Sequence, residues 1–148
     1  MTHTAVHDSS STTARQARRI SAASFRLLIM LLAQYVLGIA YNLYGTAPTA
    51  AKTVGIFSSP LLGAHVALGT LLIVIAIYLV VASIRVGLRI AVAASGIGLV
   101  SLIAAWVTGS AFTQKGGSGF SMAMGALTAA AILCYMILVK LPGAAGGK

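Results

Sequence analysis

The clearest evidence for the fold class is residues 60–83, PLLGAHVALGTLLIVIAIYLVVAS, which contain no Lys, Arg, Asp or Glu. At about 1.5 Å per residue, a helix of this length reaches about 36 Å. The hydrocarbon core of a bilayer is about 30 Å thick, so the segment is long enough to cross it with some tilt. Similar apolar runs follow the same pattern elsewhere in the chain, at about 24–45, 88–111 and 119–141.

The composition of the whole chain agrees with a membrane environment. Of 148 residues, 59% are hydrophobic and only 7% are charged, whereas soluble domains are about 25% charged. Backbone groups in lipid are satisfied only by helices or closed barrels. The runs do not alternate between apolar and polar residues, which argues against a barrel. The sequence therefore predicts an all-α membrane protein.

The connections between the runs are short enough to predict their arrangement. They cover residues 46–59, 84–87 and 112–118, and such short links favour antiparallel neighbours. We expect an up-down-up-down bundle of four transmembrane helices within a domain at 23–142. Residues 1–22 are polar and lack apolar periodicity, so they are predicted to be a disordered cytoplasmic tail. Residues 143–148 are predicted to form a second cytoplasmic tail.

Positive charge predicts the orientation. Eight Lys and Arg residues fall at one end of the predicted bundle, and only Lys52 and Lys115 fall at the other. Because cytoplasmic loops carry the excess of positive charge, we expect a multi-pass protein of the plasma membrane with both termini in the cytoplasm. A cleavable signal peptide is the alternative for the first run. That run exceeds the usual 7–15-residue apolar core of a signal peptide, and it contains Gln34 and Asn42.

Polar side chains inside the apolar runs form the candidate site. Gln34 and Asn42 share a face of the first helix. Because the first and third helices run outward and the other two run inward, His65, Thr108 and Ser121 fall at a depth similar to that of Asn42, near the outer end. A polar side chain that faces lipid is left unpaired, so we expect these residues to point inward. Their first role would be to fix helix packing, and their second to bind a small ligand or a lipid headgroup. The predicted polar cluster consists of Gln34, Asn42, His65, Thr108 and Ser121.

His65 is the residue that most needs an explanation, because an intramembrane ionisable group is a candidate functional residue by default. The structural explanation is a neutral imidazole that fixes helix register through a hydrogen bond. The chemical alternative is a haem b group with His65 as axial ligand, since one axial His can suffice. Met122 or Met124 could then supply a second ligand. A zinc site needs three or four ligands, and the runs contain no second His and no acid.

Other activities lack the residues that would carry them. The sequence shows no Ser-His-Asp pattern and no Gly-rich phosphate loop, so hydrolase, kinase and transferase activities are not indicated. The single cysteine, Cys134, excludes an intramolecular disulfide. A non-enzymatic bundle, either an accessory subunit or a binding module for a small ligand or lipid, is the favoured hypothesis. An oligomeric transporter or channel subunit is the alternative, although the spans lack the carboxylate that proton coupling usually requires.

Rows of small residues suggest how the helices associate. Small residues recur every four positions in the second, third and fourth runs, and such rows allow close backbone approach. We expect partners to be membrane lipids, other membrane subunits or further copies of this chain. The basic residues flank apolar runs without an interleaved aromatic patch, so nucleic acid is not expected. The rows comprise Gly63 and Ala67; Ala94 and Gly98; Ser101, Ala105 and Gly109; and Ser121, Gly125 and Ala129.

Several of these residues also carry a family resemblance. The chain from about residue 24 to 140 resembles a group of small four-span actinobacterial membrane proteins. That resemblance implies a four-helix bundle and no catalytic role. It rests on Gln34, Gly38, Asn42, Leu43, Pro48, His65, Gly69, Ser121, Met122, Ala123 and Tyr135.

A shorter resemblance concerns the second run alone. His65, followed by Gly69 and an aliphatic stretch, is similar to a helix in one four-helix half of haem A synthase or in a b-type cytochrome. This similarity implies haem ligation by His65. Those families supply a second His from another helix, and the runs of this chain contain none.

Overall fold

The protein is all-helical in a computed structural model, which describes residues 4–45, 48–49, 55 and 58–140, with side chains from residue 15 onward. Four helices are present in this part of the chain, and it contains no strand. The helices are α1 (Thr4–Tyr44), α2 (Pro60–Val86), α3 (Arg89–Lys115) and α4 (Ser118–Val139). All four are long and apolar enough to cross a membrane. The predicted tail at 143–148 lies outside the described residues.

Helix α1 begins much earlier than the sequence pattern indicated. It starts at Thr4 and runs for 41 residues, whereas a disordered tail was predicted up to residue 22. The chain contains no Gly before Gly38 and no Pro before Pro48, so nothing in the sequence interrupts the helix. Once a stable helical segment exists, each further residue is added at little cost.

The ends of the other helices have recognisable causes. Pro60 occupies the first turn of α2, where its missing N–H is not needed. Gly87 ends α2 with a positive φ of 73° and donates its N–H to the carbonyls of Ile84 and Ser83, an arrangement that favours glycine. Gly116 ends α3 with a φ of 69°, and a Cβ there would clash with the carbonyl of Pro48. Only glycine fits this position, where the α3–α4 turn meets the α1–α2 connection.

Each helix packs against two others. α1 contacts α2 and α4, and α3 contacts the same two, with α3 and α4 the most closely packed pair. Two hydrogen bonds join α1 and α4 at opposite ends. Ser21 donates to the carbonyl of Val139 over 2.9 Å, and Asn42 donates to the Ser121 hydroxyl over 2.9 Å. The end of α1 therefore lies beside the beginning of α4, and the middle of α1, at Ser21, lies beside the end of α4.

The buried side chains are concentrated in one half of the molecule. We call this the basic half, because the exposed Arg85, Arg89 and Lys140 lie at its end. It comprises residues 15–31, 72–86, 89–102 and 128–140. The side chain of Tyr135 is fully buried there against α3, and a Cβ at Gly98 would lie only 2.8 Å from its ring. The helix segments at the opposite end form what we call the cavity half.

The small-residue rows divide into two groups. In α3 the predicted close approach is present, since Ala94, Gly98, Ser101 and Ala105 are buried. In α2 and α4, Ala67 and Ala129 are exposed instead. The difference is one of helix rotation: a row of small residues shows that a helix can approach a neighbour but not which face it uses.

Candidate functional site: a cavity between the four helices

The cavity half encloses a cavity of about 420 Å³ between all four helices. Cavities that bind small molecules usually measure about 300–1,000 Å³, so this one is large enough for a ligand. Within the part of the chain that the structure describes, its lining contains no Lys, Arg, Asp or Glu and is mostly apolar. Four of the five residues of the predicted polar cluster line it: Gln34, Asn42, His65 and Ser121.

The cavity has a floor toward the basic half. One buried side chain from each helix contributes to it, and none is more than 8% exposed. These side chains separate the cavity from the closely packed half of the molecule. They are Leu31, Leu72, Leu102 and Thr128.

Its opposite rim is more open. Several lining side chains remain exposed, and most of them lie on α1 and α4. The Asn42–Ser121 hydrogen bond joins these two helices near their ends. The cavity therefore communicates with its surroundings along α1 and α4. The exposed lining residues are Tyr35, Ile39, Asn42, Trp106, Met122 and Ala126.

Gln34 and His65 occupy one wall in a reciprocal arrangement with two glycines. The Nε2 atom of Gln34 would lie 3.0 Å from a Cβ at Gly69, and Cε1 of His65 would lie 3.2 Å from a Cβ at Gly38. Each polar side chain of one helix thus lies on a glycine of the other. Gln34 also donates from Nε2 to the backbone carbonyl of His65 over 2.9 Å. The two glycines provide the room that these side chains occupy.

Two polar atoms of this wall have no hydrogen-bond partner within the part of the chain that the structure describes. They are Oε1 of Gln34 and Nδ1 of His65, and both are buried. An unpaired buried polar atom costs about 1–3 kcal/mol in proteins. The polar atoms of this wall are therefore less completely hydrogen-bonded than those of a purely structural contact would be.

Thr108 is the predicted cluster residue that the structure does not bring to the cavity. Its hydroxyl donates to the carbonyl of Ala104, one turn earlier in the same helix, over 2.7 Å, and its side chain is not among those that line the cavity. Similar depth was a sound criterion for Asn42 and Ser121, but depth alone does not fix the direction in which a helical residue points.

His65 is the residue on which the haem hypothesis depends. Its Nδ1 atom is buried and has no hydrogen-bond partner among the described residues, and a neutral ring nitrogen without a partner is able to bind a metal. No group of three His, Cys, Asp or Glu residues lies in the described ranges 4–45, 48–49, 55 and 58–140, but a haem with one axial His does not require such a group. Both Met122 and Met124 reach the cavity lining, but Met122 is 76% exposed. The haem hypothesis stays a prediction that absorbance spectroscopy can test.

Sequence reasoning did not identify several residues that shape the cavity. Trp106, the only Trp of the chain, lines it, and nothing in the sequence pattern marked it as a cavity residue. Gly125 was read as part of a close-packing row, yet no atom lies within 4 Å of the position its Cβ would take. The sequence did contain an indication of the cavity, because Gly109 and Gly125 lie at the same predicted depth as His65. Glycines on facing helices can create space as well as contact.

Comparison with known proteins gives no independent assignment of this site. The sequence matches no family model, no curated protein and no solved structure.

Proposed function

We propose that this chain is a plasma-membrane protein whose four helices cross the bilayer in an up-down-up-down bundle and bind a small, neutral, amphiphilic molecule in the cavity half. The single observation that carries the proposal is the cavity of about 420 Å³ that all four helices line. In lipid, helices associate through close packing rather than through a hydrophobic driving force. A space of this size leaves the facing side chains without packing contacts, and a bound ligand would supply those contacts.

The orientation of the proposed bundle follows from charge. Arg85 and Arg89 flank the α2–α3 turn and Lys140 follows α4, all at the end opposite the cavity, whereas Lys115 lies at the cavity end. Because positive charge is retained on the cytoplasmic side, the cavity belongs to the outer half of the membrane. Both termini would then be cytoplasmic.

The chemistry of the lining limits the ligand. None of the described side chains that line the cavity is charged, so they would not neutralise a charged group placed there, at a considerable cost in a low-dielectric environment. Leucine, isoleucine, methionine and aromatic side chains offer apolar contact, and the Asn42, His65 and Ser121 side chains offer polar contact at one end of the lining. A molecule with an apolar body and one uncharged polar group matches this distribution.

A transporter or channel subunit requires a continuous path, and one copy of the chain does not favour it. The floor formed by Leu31, Leu72, Leu102 and Thr128 closes the cavity toward the basic half. A path between copies in an oligomer remains a prediction from the sequence.

Trp106 provides a direct test of the proposed ligand site, because it is the only Trp and it lines the cavity. Its emission can be titrated with a brominated fatty alcohol in nanodiscs that hold the purified full chain. We expect saturable quenching in the wild type. Gly125→Leu places a side chain in the cavity and should remove the saturable component. Gly119→Leu is the matched control on the same helix, because Gly119 is equally open but does not line the cavity.

Quenching that increases in simple proportion to the alcohol in the bilayer, and equally in all three proteins, would contradict the proposal. That result would mean that the quencher reaches Trp106 only from the surrounding lipid, toward which the side chain is 48% exposed.

A further inference from the structure

Helix α1 presents an outward stripe of residues that changes from basic to apolar along its length. Its members are spaced alternately by four and three residues, which places them on one face of a helix. All of them are exposed. The stripe consists of Arg15, Arg19, Ala22, Arg26, Ile29, Ala33 and Val36.

The opposite face of the same helix is buried. Ala17, Ile20, Ser24, Leu27 and Leu31 follow the same alternating spacing and are at most 5% exposed. The basic stripe therefore points directly away from the bundle. Its arginines do not contribute to the interior, so they are accessible to molecules outside this chain.

The packing register shows the level at which these arginines lie. Gln34 is opposite Gly69 and Gly38 is opposite His65 in the α1–α2 pair. Continuing this antiparallel register places residue 18 of α1 level with Arg85, and the Ser21–Val139 hydrogen bond places the same level beside Lys140. Arg19 thus lies with the other cations at the end of the basic half, where the proposed membrane insertion puts the cytoplasmic headgroups.

Arg26 lies deeper. Seven residues separate it from Arg19, which corresponds to about 10 Å along the helix. It is exposed, and the apolar Phe25 and Ile29 beside it are 55% and 53% exposed. A long Arg side chain can rest its stem on apolar surface and extend its guanidinium toward the headgroups. The small Ala22 between Arg19 and Arg26 leaves room for a group that both guanidinium groups contact.

The chain itself cannot neutralise this charge. It contains ten Lys and Arg residues but one acidic side chain, Asp8. One carboxylate cannot neutralise three guanidinium groups. The complementary charge has to come from outside the molecule. Guanidinium groups bind phosphate oxygens through paired hydrogen bonds.

We propose that Arg19 and Arg26, with Ala22 between them, form a binding site for the phosphate of an anionic phospholipid, whose acyl chains lie along Ile29, Ala33 and Val36. The occupant is a lipid rather than free phosphate or an acidic protein, because the apolar continuation of the stripe offers contact only to a molecule with a long apolar part. The site rests on the proposed membrane insertion but is separate from the cavity and does not depend on a ligand there.

The test is a titration of the delipidated full chain in maltoside with phosphatidylglycerol or with phosphatidylcholine, followed by native mass spectrometry. We expect tighter binding of phosphatidylglycerol. Arg26→Gln and Arg19→Gln should each weaken it about fivefold, the fold-change that corresponds to about 1 kcal/mol per basic residue. Arg89→Gln is the matched control. It removes the same charge at the same end of the molecule, but from α3 and outside the stripe. Arg26→Lys should retain most of the binding.

Equal weakening by all three glutamine variants would overturn the proposal, because it would indicate a general effect of net charge. Equal affinity for the two lipids would overturn it as well. Inorganic phosphate is a further competitor: displacement of the lipid at equal concentration would show that the site recognises a free anion. Extraction of membranes with alkaline carbonate separates the two proposals. A protein that stays in the membrane but shows no lipid preference contradicts the lipid site alone, whereas a protein that is extracted contradicts the membrane bundle.

Discussion

The basic half and the cavity half are built from the same four helices and from similar residues, yet they pack differently. In the basic half, Tyr135 fills the space that Gly98 leaves, and side chains such as Leu27 and Leu79 are fully buried. In the cavity half, Gly125 faces open space. The effect of a glycine therefore depends on the residue that faces it. It permits close contact where the facing helix carries a large side chain, as at Gly98 and Gly38, and it leaves open space where the facing residues are small or turned aside, as at Gly125.

The largest expected effect tests the tight packing of the basic half. Gly98→Ala would force the Tyr135 ring to move, because the new Cβ would lie 2.8–3.0 Å from three of its atoms. Overpacking of this kind typically costs about 1–3 kcal/mol. We expect a clear loss of thermal stability in detergent. Gly96→Ala is the control two residues away, where no atom lies within 4 Å of the new Cβ, and it should leave stability unchanged or raise it. Equal losses in both variants would contradict the described packing.

Tyr135→Phe tests the same contact from the other side. The Tyr135 hydroxyl is buried without a hydrogen-bond partner among the described residues. Removing an unpaired hydroxyl while keeping the ring should stabilise the protein, by about 1 kcal/mol. Thermal unfolding of the purified variant measures the change. A marked loss of stability would show that the hydroxyl has a partner, and the packing of the basic half would need revision.

In the cavity half, Gln34→Leu should have a smaller effect than either variant of the basic half, because two contributions oppose each other. It removes the hydrogen bond to the carbonyl of His65, and interhelical hydrogen bonds in membranes contribute about 0.6 kcal/mol on average. It also removes the buried Oε1 that has no partner among the described residues, and burial of such an atom costs about 1–3 kcal/mol. We therefore expect the unfolding temperature to stay the same or to rise slightly. Thr108→Val is the matched control, because the Thr108 hydroxyl bonds only within its own helix. A clear loss of stability relative to that control would show that Oε1 of Gln34 has a partner.

The smallest expected effect belongs to the rim of the cavity. A double-mutant cycle with Asn42→Ala and Ser121→Ala measures the energy of their hydrogen bond. Asn42 is exposed and water or headgroups can replace its partner, so a coupling energy no greater than about 0.6 kcal/mol is expected. A coupling energy well above that value would indicate that α1 and α4 are joined firmly at the rim, and access to the cavity from that side would then be restricted.

Hydropathy and helix periodicity were sufficient to predict four long apolar helices, because these properties depend on local sequence. They also predicted an inward-facing polar cluster, of which Asn42 and Ser121 are hydrogen-bonded to each other. The contact between Gln34 and His65 was not predicted. The position of Thr108 and the early start of α1 were not predicted. The first depends on helix rotation, which neighbouring helices determine. The second depends on a helix continuing from the apolar run into a polar segment that has little helical pattern of its own.

The cavity itself was beyond prediction from the sequence. Its existence depends on the summed volume of the side chains that the four helices place at one level. Trp106 and Gly109 of α3 and Gly125 of α4 all line it, although they are separated in the sequence. A row such as Ser121, Gly125 and Ala129 is equally compatible with contact and with empty space. Only the relative rotation of α3 and α4 distinguishes the two.

Membrane topology underlies every other proposal, and one labelling experiment tests it directly. Cys134 is the only cysteine of the chain, so Cys134→Ser provides a background for single cysteines at Lys115 and at Arg85. Both positions are exposed. Lys115 is the last residue of α3, at the cavity end of the molecule, and Arg85 lies in the last turn of α2, at the basic end. In intact cells, a membrane-impermeant maleimide should label Lys115→Cys and leave Arg85→Cys unlabelled until the cells are permeabilised. Labelling of both positions in intact cells, or of neither, would contradict a bundle that crosses the membrane with its basic half toward the cytoplasm.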